Sequence, residues 1–300
     1  MISIVMPCYN GARWMGEALA SVAAQTRPDW EVVIVDDGSQ DDSAGVAREW
    51  AGRDGRIRFL QQANAGAAAA RNAGVRASGG EYLVFLDCDD LLEPDFLQTM
   101  AAVLDADTSI GGCACEQTVM RTDGSTPVQP LPGGGDRLTI DDILPCNGWA
   151  PHAAMTRRAI FERIGGFNPT FRGSEDWDFW LRSLAVGNFA AVRRPLVRYR
   201  RHDRQTSGNY AMMAAHVMRV LDGFEKLHAP IVARYGRRRY RENGAMLILV
   251  YAGKALKEKQ TALAFKLSFL ALRRAFTLPV MRRLAVMWLP AWLTNILANR

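Results

Sequence analysis

The chain has 300 residues, 49% of them hydrophobic, and a formal net charge of +6. That length holds one to two domains of roughly 100–200 residues each, and the apolar content excludes a chain dominated by disorder. The charge is unevenly placed, with 19 Lys/Arg against 26 Asp/Glu in residues 1–200 and 18 against 5 in residues 201–300, so the tail points toward anionic partners, either nucleic acid or an anionic membrane.

Ile2 to Met6 is a compact β-branched run ending at Pro7, which predicts a first strand. Helical spacing follows over Gly11 to Gln25, with Trp14, Ala18, Leu19 and Val22 on one face. Glu31 to Val35 predicts a second strand that closes at Asp36-Asp37-Gly38-Ser39. Asp41 or Asp42 caps the helix that continues to Trp50. Ile57 to Leu60 is a third strand, Ala67 to Ala77 an Ala-rich helix, and Tyr82 to Leu86 a fourth strand ending in Asp87-Cys88-Asp89-Asp90. This alternation predicts an α/β fold with a mostly parallel central sheet flanked by helices. Near-continuous apolar strands fit burial on both faces. Such sheets bind ligands at the carboxyl ends of their strands. There the sequence gathers Tyr9 and Asn10, Asp36 and Asp37, and Asp87 and Asp89.

The middle is less regular. It predicts a helix over Pro94 to Leu104, a strand over Ile110 to Arg121, and a mobile loop over the Gly-, Pro- and Ser-rich Thr122 to Asp136. A strand over Trp149 to Thr156 and a short helix over Arg157 to Ile164, closed by Gly165-Gly166, come next. A helix over Ser174 to Leu184, with Ser174 as N-cap, and a strand over Leu196 to Arg200 complete this part. From Ser207 the pattern is helical and basic, with breaks near Pro230, Pro279 and Pro290. Cys8, Cys88, Cys113, Cys115 and Cys146 follow no secretory signal, so they read as reduced and the chain as cytosolic. Cys113-Ala-Cys115 has no second pair at zinc-finger spacing and reads as buried thiols. No apolar run approaches the roughly 18–20 residues that span a bilayer.

Several residues can carry chemistry. Asp87 and Asp89 stand one residue apart after a buried strand, where two carboxylates can converge on a hard cation that neutralises a diphosphate. Alone, an Asp-x-Asp is a solvated acidic turn; its place at a buried strand end favours the site. Asp36 can accept hydrogen bonds from a ribose or a base, although Asp and Ser also build ordinary turns. Arg71, after Asn64-Ala-Gly66, can hold Asp87 or a diphosphate, or be a solvated helix residue. Glu175-Asp176 can supply a general base, or merely complement a helix dipole. Trp177 and Trp180 can form a sugar platform or core, and His202 can ligate a metal or be structural.

Together these segments resemble the family 2 glycosyltransferases, which are inverting enzymes of GT-A fold. The resemblance covers about residues 1–205 and rests on seven motifs in order. They are Ser3 to Asn10, Val33 to Ser39, Asn64-Ala-Gly66 with Ala70-Arg71-Asn72, Gly80 to Asp90, Gly165-Gly166-Phe167, Ser174 to Asp178, and Tyr199 to His202. The resemblance implies a catalytic domain over 1–205, with a nucleotide-binding half about 1–105 and an acceptor half about 106–205, followed by a basic helical region over 206–300. It implies that Pro7, Tyr9 and Asp36 hold the base and ribose, with Asp37, Asn10, Asn64 and Cys88 in the same pocket. Arg71 and Asp87 look like the pair at the ribose and diphosphate. Asp89 looks like the ligand of Mn2+ or Mg2+, with His202 beside it. Asp176 resembles the catalytic base and Glu175 an acceptor-side residue, while Trp149, Gly166 and Trp177 line the acceptor pocket.

The implied reaction moves a sugar from a nucleotide-diphosphate donor, a UDP-sugar ahead of dTDP or GDP donors, to a saccharide or lipid-linked saccharide acceptor. Synthesis of cell-surface polysaccharide or glycoconjugate is the expected setting. The alternatives are a sugar nucleotidyltransferase or a silent nucleotide-sugar-binding relative. The phosphate loop of a nucleotidyltransferase is Gly-rich with Lys or Arg, whereas Tyr9-Asn10-Gly11 stands here. In the tail, Arg237-Arg-Arg239, Lys254 to Lys259, Arg273-Arg274 and Arg282-Arg283 recur among apolar stretches. Arg282 to Ile296, with Trp288 and Trp292, reads either as an amphipathic helix on the inner face of an anionic membrane or as part of a subdomain packed on the core. The dispersed basic residues form no nucleic-acid module.

Overall fold

Buried β-branched runs separated by amphipathic stretches give the first half its rhythm. The computed structural model describes residues 1–202 and 208–288; Pro290 and Trp292 therefore lie outside the described residues, as does the part of the tail segment beyond Trp288. Two compact units divide the chain, one of residues 1–142 with 147–203 and one of residues 143–146 with 204–300.

In the first unit β1 (Ile2–Cys8), β2 (Trp30–Asp36), β3 (Ile57–Gln61) and β4 (Tyr82–Phe85) alternate with α1 (Ala12–Ala23), α2 (Ser43–Arg53) and α3 (Ala67–Ala77). All seven residues of β1 are buried, because it runs parallel between β2 and β4. Helix α3 lies close on it: a Cβ at Gly74 would fall 2.3 Å from Val5 Cγ1. Then follow β5 (Leu91–Leu92), α4 (Phe96–Ala106), β6 (Ile110–Met120), β7 (Val128–Gln129), β8 (Arg137–Leu138) and α5 (Ile140–Ile143). The unit ends with β9 (Ala154–Arg157), α6 (Arg158–Ile164), α7 (Glu175–Val186) and β10 (Asn188–Arg200).

The sheet order is β3-β2-β1-β4-β9-β6-β10-β5, with β7 on β6 and β8 on β10. The longest ladders are parallel, so the architecture is α/β as expected. The sheet is nonetheless mixed, because β9 runs antiparallel to both β4 and β6.

The structure corrects several boundaries. Only the end of Trp149 to Thr156 is extended; Pro151–Ala153 forms a 3₁₀ turn, which the fixed φ of Pro151 favours. The strand expected over Leu196 to Arg200 begins at Asn188 and carries register shifts around Pro195, whose missing N–H interrupts the ladder. Thr122 to Asp136 holds β7, paired with Gln117 and Thr118. Met15, not Trp14, shares the buried face of α1 with Ala18, Leu19 and Val22. Ser174 precedes α7 but makes no side-chain cap bond, because its left-handed φ of 57° differs from the extended backbone that aims a capping hydroxyl. Asp42 likewise makes none before α2, while Asp41 accepts from the amides of Ser43 and Ala12. All five cysteines are free thiols.

The second unit consists of α8 (Tyr210–Leu227), α9 (Ala229–Tyr235), α10 (Arg237–Lys257), α11 (Thr261–Arg274) and α12 (Leu278–Trp288). Ala245, Ile248, Leu249 and Ala252 of α10 pack with Leu267 and Ala271 of α11. Pro230 and Pro279 fall in the first turns of α9 and α12, the position that tolerates the missing N–H. Among the described residues no helix is long and apolar enough to cross a membrane.

Candidate active site

Parallel register aligns the strand ends: Cys8 lies beside Asp36 and Val5 beside Phe85. Pro7 is buried within β1, and Tyr9 and Asn10 are exposed just past it. Asn10, at φ 55°, donates its amide to Ser39 Oγ at 2.8 Å and accepts at Oδ1 from the Gln40 amide at 2.8 Å. The buried Asp36 accepts from the Ser39 amide at 3.1 Å and from Gln61 Nε2 at 3.0 Å. Asp37 accepts from Gln62 Nε2 at 2.7 Å and from the amides of Ala65 and Gly66 at 2.8 and 2.7 Å. Its carboxylate is thereby engaged in building the turn into α3. Asn64 has a similar part: its Nδ2 donates to the Asp37 carbonyl, and its Oδ1 accepts from Arg172. Cys88 is buried against Cys8, and hydrogen bonding to that thiol together with burial pushes Cys88 well up from its ordinary range. Gly11 covers both sulfurs, for a Cβ there would lie 2.4 Å from Cys88 Sγ and 2.9 Å from Cys8 Sγ.

Arg71 is no solvated helix residue. It is 3% exposed and donates to Asp87 Oδ1 at 2.7 Å and to Glu175 Oε1 at 2.8 Å. One planar guanidinium thus joins the end of β4 to the start of α7, and Arg71 reaches Glu175 across 104 residues. Its cation lies 5.3 Å from the Phe167 ring centroid.

Two groups of metal-ligating atoms flank the Asp87–Asp90 turn. Asp89 Oδ2 lies 2.8 Å from His202 Nε2, and these side chains are 22% and 19% exposed. The end of β10 delivers His202, because the Arg200 amide donates to Asp90 Oδ1 at 2.7 Å and Arg200 Nε to the Asp89 carbonyl at 3.0 Å. Trp14 stacks on His202 with ring centroids 5.8 Å apart. Burial, then the Asp87 charge, raises Asp89 above the usual carboxylate range. The second group is Asp87, Asp90 and His152, whose ligand atoms all lie within 4.8 Å of one another. His152 Nδ1 is 3.1 Å from Asp90 Oδ2, off the hydrogen-bonding direction, so that both buried ring nitrogens lack a hydrogen-bond partner among the described residues. Burial pushes His152 down to about 4 and Asp90 well up.

Carboxylate oxygens and neutral imidazole nitrogens are fit ligands for a divalent cation. Asp89, His202 and Asp87 reach solvent, at 22%, 19% and 29% exposed, whereas Asp90 and His152 are fully buried.

Sequence reasoning overlooked His152 and the role of Asp90. The antiparallel register sets Val84 beside Met155, so residues that precede β9 lie beside those that follow β4. The signal was the 3₁₀ turn at Pro151, obscured by the expected strand through Trp149.

At the start of α7, Asp176 accepts from Asn147 Nδ2 at 2.7 Å and from the Trp177 amide at 2.8 Å. Burial, then the charge of Glu175, raises it to about 6. Asn147 was also overlooked. Trp149, Gly166 and Trp177 are the positions expected to line the acceptor pocket. Trp149, Trp177 and Gly166 are all buried; Trp149 packs on Trp180 with centroids 5.8 Å apart, so neither indole offers a face to a sugar. Gly166, at φ 73°, lets Asn72 clasp the Phe167 backbone through bonds of 2.8 and 2.9 Å.

The family model described as "Glycosyl transferase family 2" matches residues 3–165. The chain belongs to glycosyl transferase family 2. An uncharacterized glycosyltransferase of Rickettsia typhi is 27% identical over 75% of this chain and 72% of its own length. The uncharacterized glycosyltransferase EpsJ of Bacillus subtilis is 37% identical over 61% of this chain and 56% of its own. Escherichia coli chondroitin synthase is 30% identical over 69% of this chain, which spans 30% of that longer protein. Among solved structures, S. aureus TarS in complex with UDP-GlcNAc has a TM-score of 0.60 at 17% identity, covering 84% of this chain and 80% of that one. The mannosyltransferase PcManGT from Pyrobaculum calidifontis, in complex with GDP-Man and Mn2+, has a TM-score of 0.58 at 21% identity, covering 99% and 84%. The fold is GT-A.

Proposed function

We propose that this chain is an inverting glycosyltransferase that moves a sugar from a nucleoside-diphosphate donor to an acceptor hydroxyl. The observation that carries this reading is the Arg71 bridge, which ties Asp87, on the phosphate side in this reading, to the helix bearing Asp176. Asp176, raised to about 6, is ionised at neutral pH yet basic enough to accept a proton. It takes the acceptor hydroxyl proton as that oxygen attacks the anomeric carbon. The bond from that carbon to the diphosphate breaks, and the nucleoside diphosphate leaves with the electron pair. One displacement inverts the anomeric centre and needs no enzyme nucleophile. Asn147 and the Trp177 amide hold the base in place. Glu175 acts through Arg71, not directly on the acceptor.

On this reading Asp36, Pro7 and Tyr9 form the nucleotide edge, and Asp37, Asn10 and Asn64 shape it. Asp89 and His202 would hold Mn2+ or Mg2+, whose chemistry when bound is to neutralise diphosphate charge. The UDP-GlcNAc complex of TarS supports a UDP-sugar donor, and the GDP-Man complex of PcManGT supports GDP as the competitor. The chondroitin synthase relative supports a saccharide acceptor in glycoconjugate or polysaccharide synthesis. Five free thiols suit the reducing cytoplasm.

A thermal-shift panel of UDP-, dTDP- and GDP-sugars, with and without Mn2+, tests the donor site on wild type and Asp89→Ala. A ligand at 100 times its Kd stabilises by about 2.7 kcal/mol. The reading expects one donor to stabilise the protein with Mn2+, and that shift to disappear in Asp89→Ala. No shift with any donor overturns it.

A further inference from the structure

The solvent face of α11 has an unusual composition. Ala264, Leu267, Ser268 and Ala271 face the core of the second unit, so Phe265, Lys266, Phe269 and Arg273 stand on the outer side. Phe265, Phe269 and the following Phe276 are 68%, 60% and 75% exposed. A single exposed phenylalanine is ordinary. Three along one helix and its exit, interleaved with cations, form an apolar patch that calls for a partner.

Two neighbouring features extend the patch. Trp288 of α12 meets Phe265 edge-on with centroids 6.2 Å apart, and its Nε1 donates to Ser268 Oγ at 3.0 Å, which fixes the indole beside the stripe. Between α8 and α11 lies a cavity of about 300 Å³. Ala215, Leu263, Leu267 and Leu270 form its apolar walls, and Lys266 and Arg273 line it as well. An apolar cleft with two cations suits an amphiphile that has an anionic head.

Charge complementarity selects the partner. From Lys259 to Arg300 the sequence contains no acidic residue, while Lys259, Lys266, Arg273, Arg274, Arg282 and Arg283 all occur. Arg274 is neutralised by Asp222, and the remaining cations enlarge the field around the phenylalanines. Near an anionic leaflet each such cation contributes about 1 kcal/mol, and exposed aromatic rings gain by leaving water for the acyl boundary. Among the described residues no helix is long and apolar enough to span the bilayer, and the exposed phenylalanines suit contact at its surface.

We propose that the outer face of α11 is a docking surface for an anionic lipid bilayer: Phe265, Phe269 and Phe276 enter the acyl boundary, Lys266 and Arg273 meet anionic headgroups, and the α8–α11 cavity accepts part of a lipid chain. The surface lies wholly within the second unit and is independent of the transferase reading.

The test is sedimentation of the full chain with phosphatidylcholine vesicles, with and without phosphatidylglycerol, at low and high salt. Three forms are compared: wild type, Phe265→Ser/Phe269→Ser, and Lys266→Glu/Arg273→Glu. All four positions are exposed, and thermal melting verifies that each variant is folded. Wild type is expected to bind anionic vesicles and to release them as salt rises. The phenylalanine variant should lose at least about tenfold in partitioning, from the apolar area that no longer leaves water. The charge variant should lose at least roughly fivefold for each cation removed, and more because each substitution also adds a negative charge. Absence of binding to anionic vesicles at low salt overturns the proposal. Binding undiminished in the phenylalanine variant overturns it too, because diffuse electrostatics would then suffice. If wild type instead self-associates and the phenylalanine variant is monomeric, a second copy covers the face and the lipid assignment fails. The readout is partitioning, so loss of the donor-sugar reading leaves this result intact.

Discussion

Replacing Arg71 with methionine removes the cation at the centre of the site while keeping an aliphatic stem near Phe167. In wild type the guanidinium is 3% exposed and holds carboxylates at 2.7 and 2.8 Å. Breaking a buried pair by deleting one partner costs about 3–5 kcal/mol. Asp87 is 29% exposed and regains water when released, so the loss belongs near the lower end, about 3 kcal/mol. For a unit of this size, each kcal/mol moves Tm by roughly 2–4 °C, which gives a fall of about 6–12 °C. Calorimetry of wild type, Arg71→Met, Glu175→Gln and the double variant measures this directly. Glu175→Gln should restore part of the stability in the methionine background, because it removes an unpaired carboxylate, with a coupling of about 1 kcal/mol or more. Arg71→Lys should fall between wild type and Arg71→Met, since a point ammonium cannot span both carboxylates. Additive losses within about 0.5 kcal/mol would refute the bridge, as would an Arg71→Met variant as stable as wild type.

With Asp176 as the proposed base, a pH profile and a trade-off are expected. The base must be ionised, so turnover should fall about tenfold for each unit below its pKa of about 6, and Asp176→Asn should lose about 10²–10⁴-fold at neutral pH. Because this carboxyl titrates higher folded than unfolded, stability falls as pH rises from about 4 to 6, and Asp176→Asn should be about 1 kcal/mol more stable than wild type at pH 7 after solvent screening; an equally stable variant in urea melts contradicts the burial argument. Asn147→Ala deletes a donor to the ionised carboxylate, so the inflection in the pH–rate profile should move upward by about one unit; an unmoved inflection removes Asn147 from the base. Gly11→Ala pushes a Cβ onto the Cys8 and Cys88 sulfurs, and such overpacking costs about 1–3 kcal/mol, with donor affinity by calorimetric titration falling as well. Gly166→Ala is strained at φ 73° and meets Asn72 Oδ1 at 2.7 Å, so it should destabilise by about 2 kcal/mol, seen as a lower midpoint in urea.

The strand-end cluster proposed as the nucleotide edge was legible in the sequence because a buried run precedes each of its members. Pro7 to Asn10, Asp36-Asp37 and Asp87 to Asp90 follow buried runs, and parallel register then sets those ends side by side. Arg71 was identified without its second partner: 104 residues separate it from Glu175, and no local pattern reports such a contact. His152 was hidden by the reversal of β9, and Asn147 by the 29 residues that separate it from Asp176. Trp149 and Trp177 were expected at the acceptor pocket because they stand beside the implied catalytic motifs; both are buried in the structure, and Trp149 packs on Trp180, which meets Phe179 and through it Phe167.

The excursion between β6 and β8 is stitched to the sheet at both ends. Val128 and Gln129 pair with β6, Arg137 and Leu138 pair with β10, and Arg193 donates to the carbonyls of Leu131 and Gly135 at 2.9 Å. None of these bonds reaches β1, β2 or β4. Closing a longer loop between fixed ends costs only about 0.6 kcal/mol for each doubling of its length. Insertions and deletions near Gly133 to Gly135 are therefore mild perturbations, and descendants of this chain can remodel that flank by drift in length while the strand ends proposed to hold the nucleotide stay as they are.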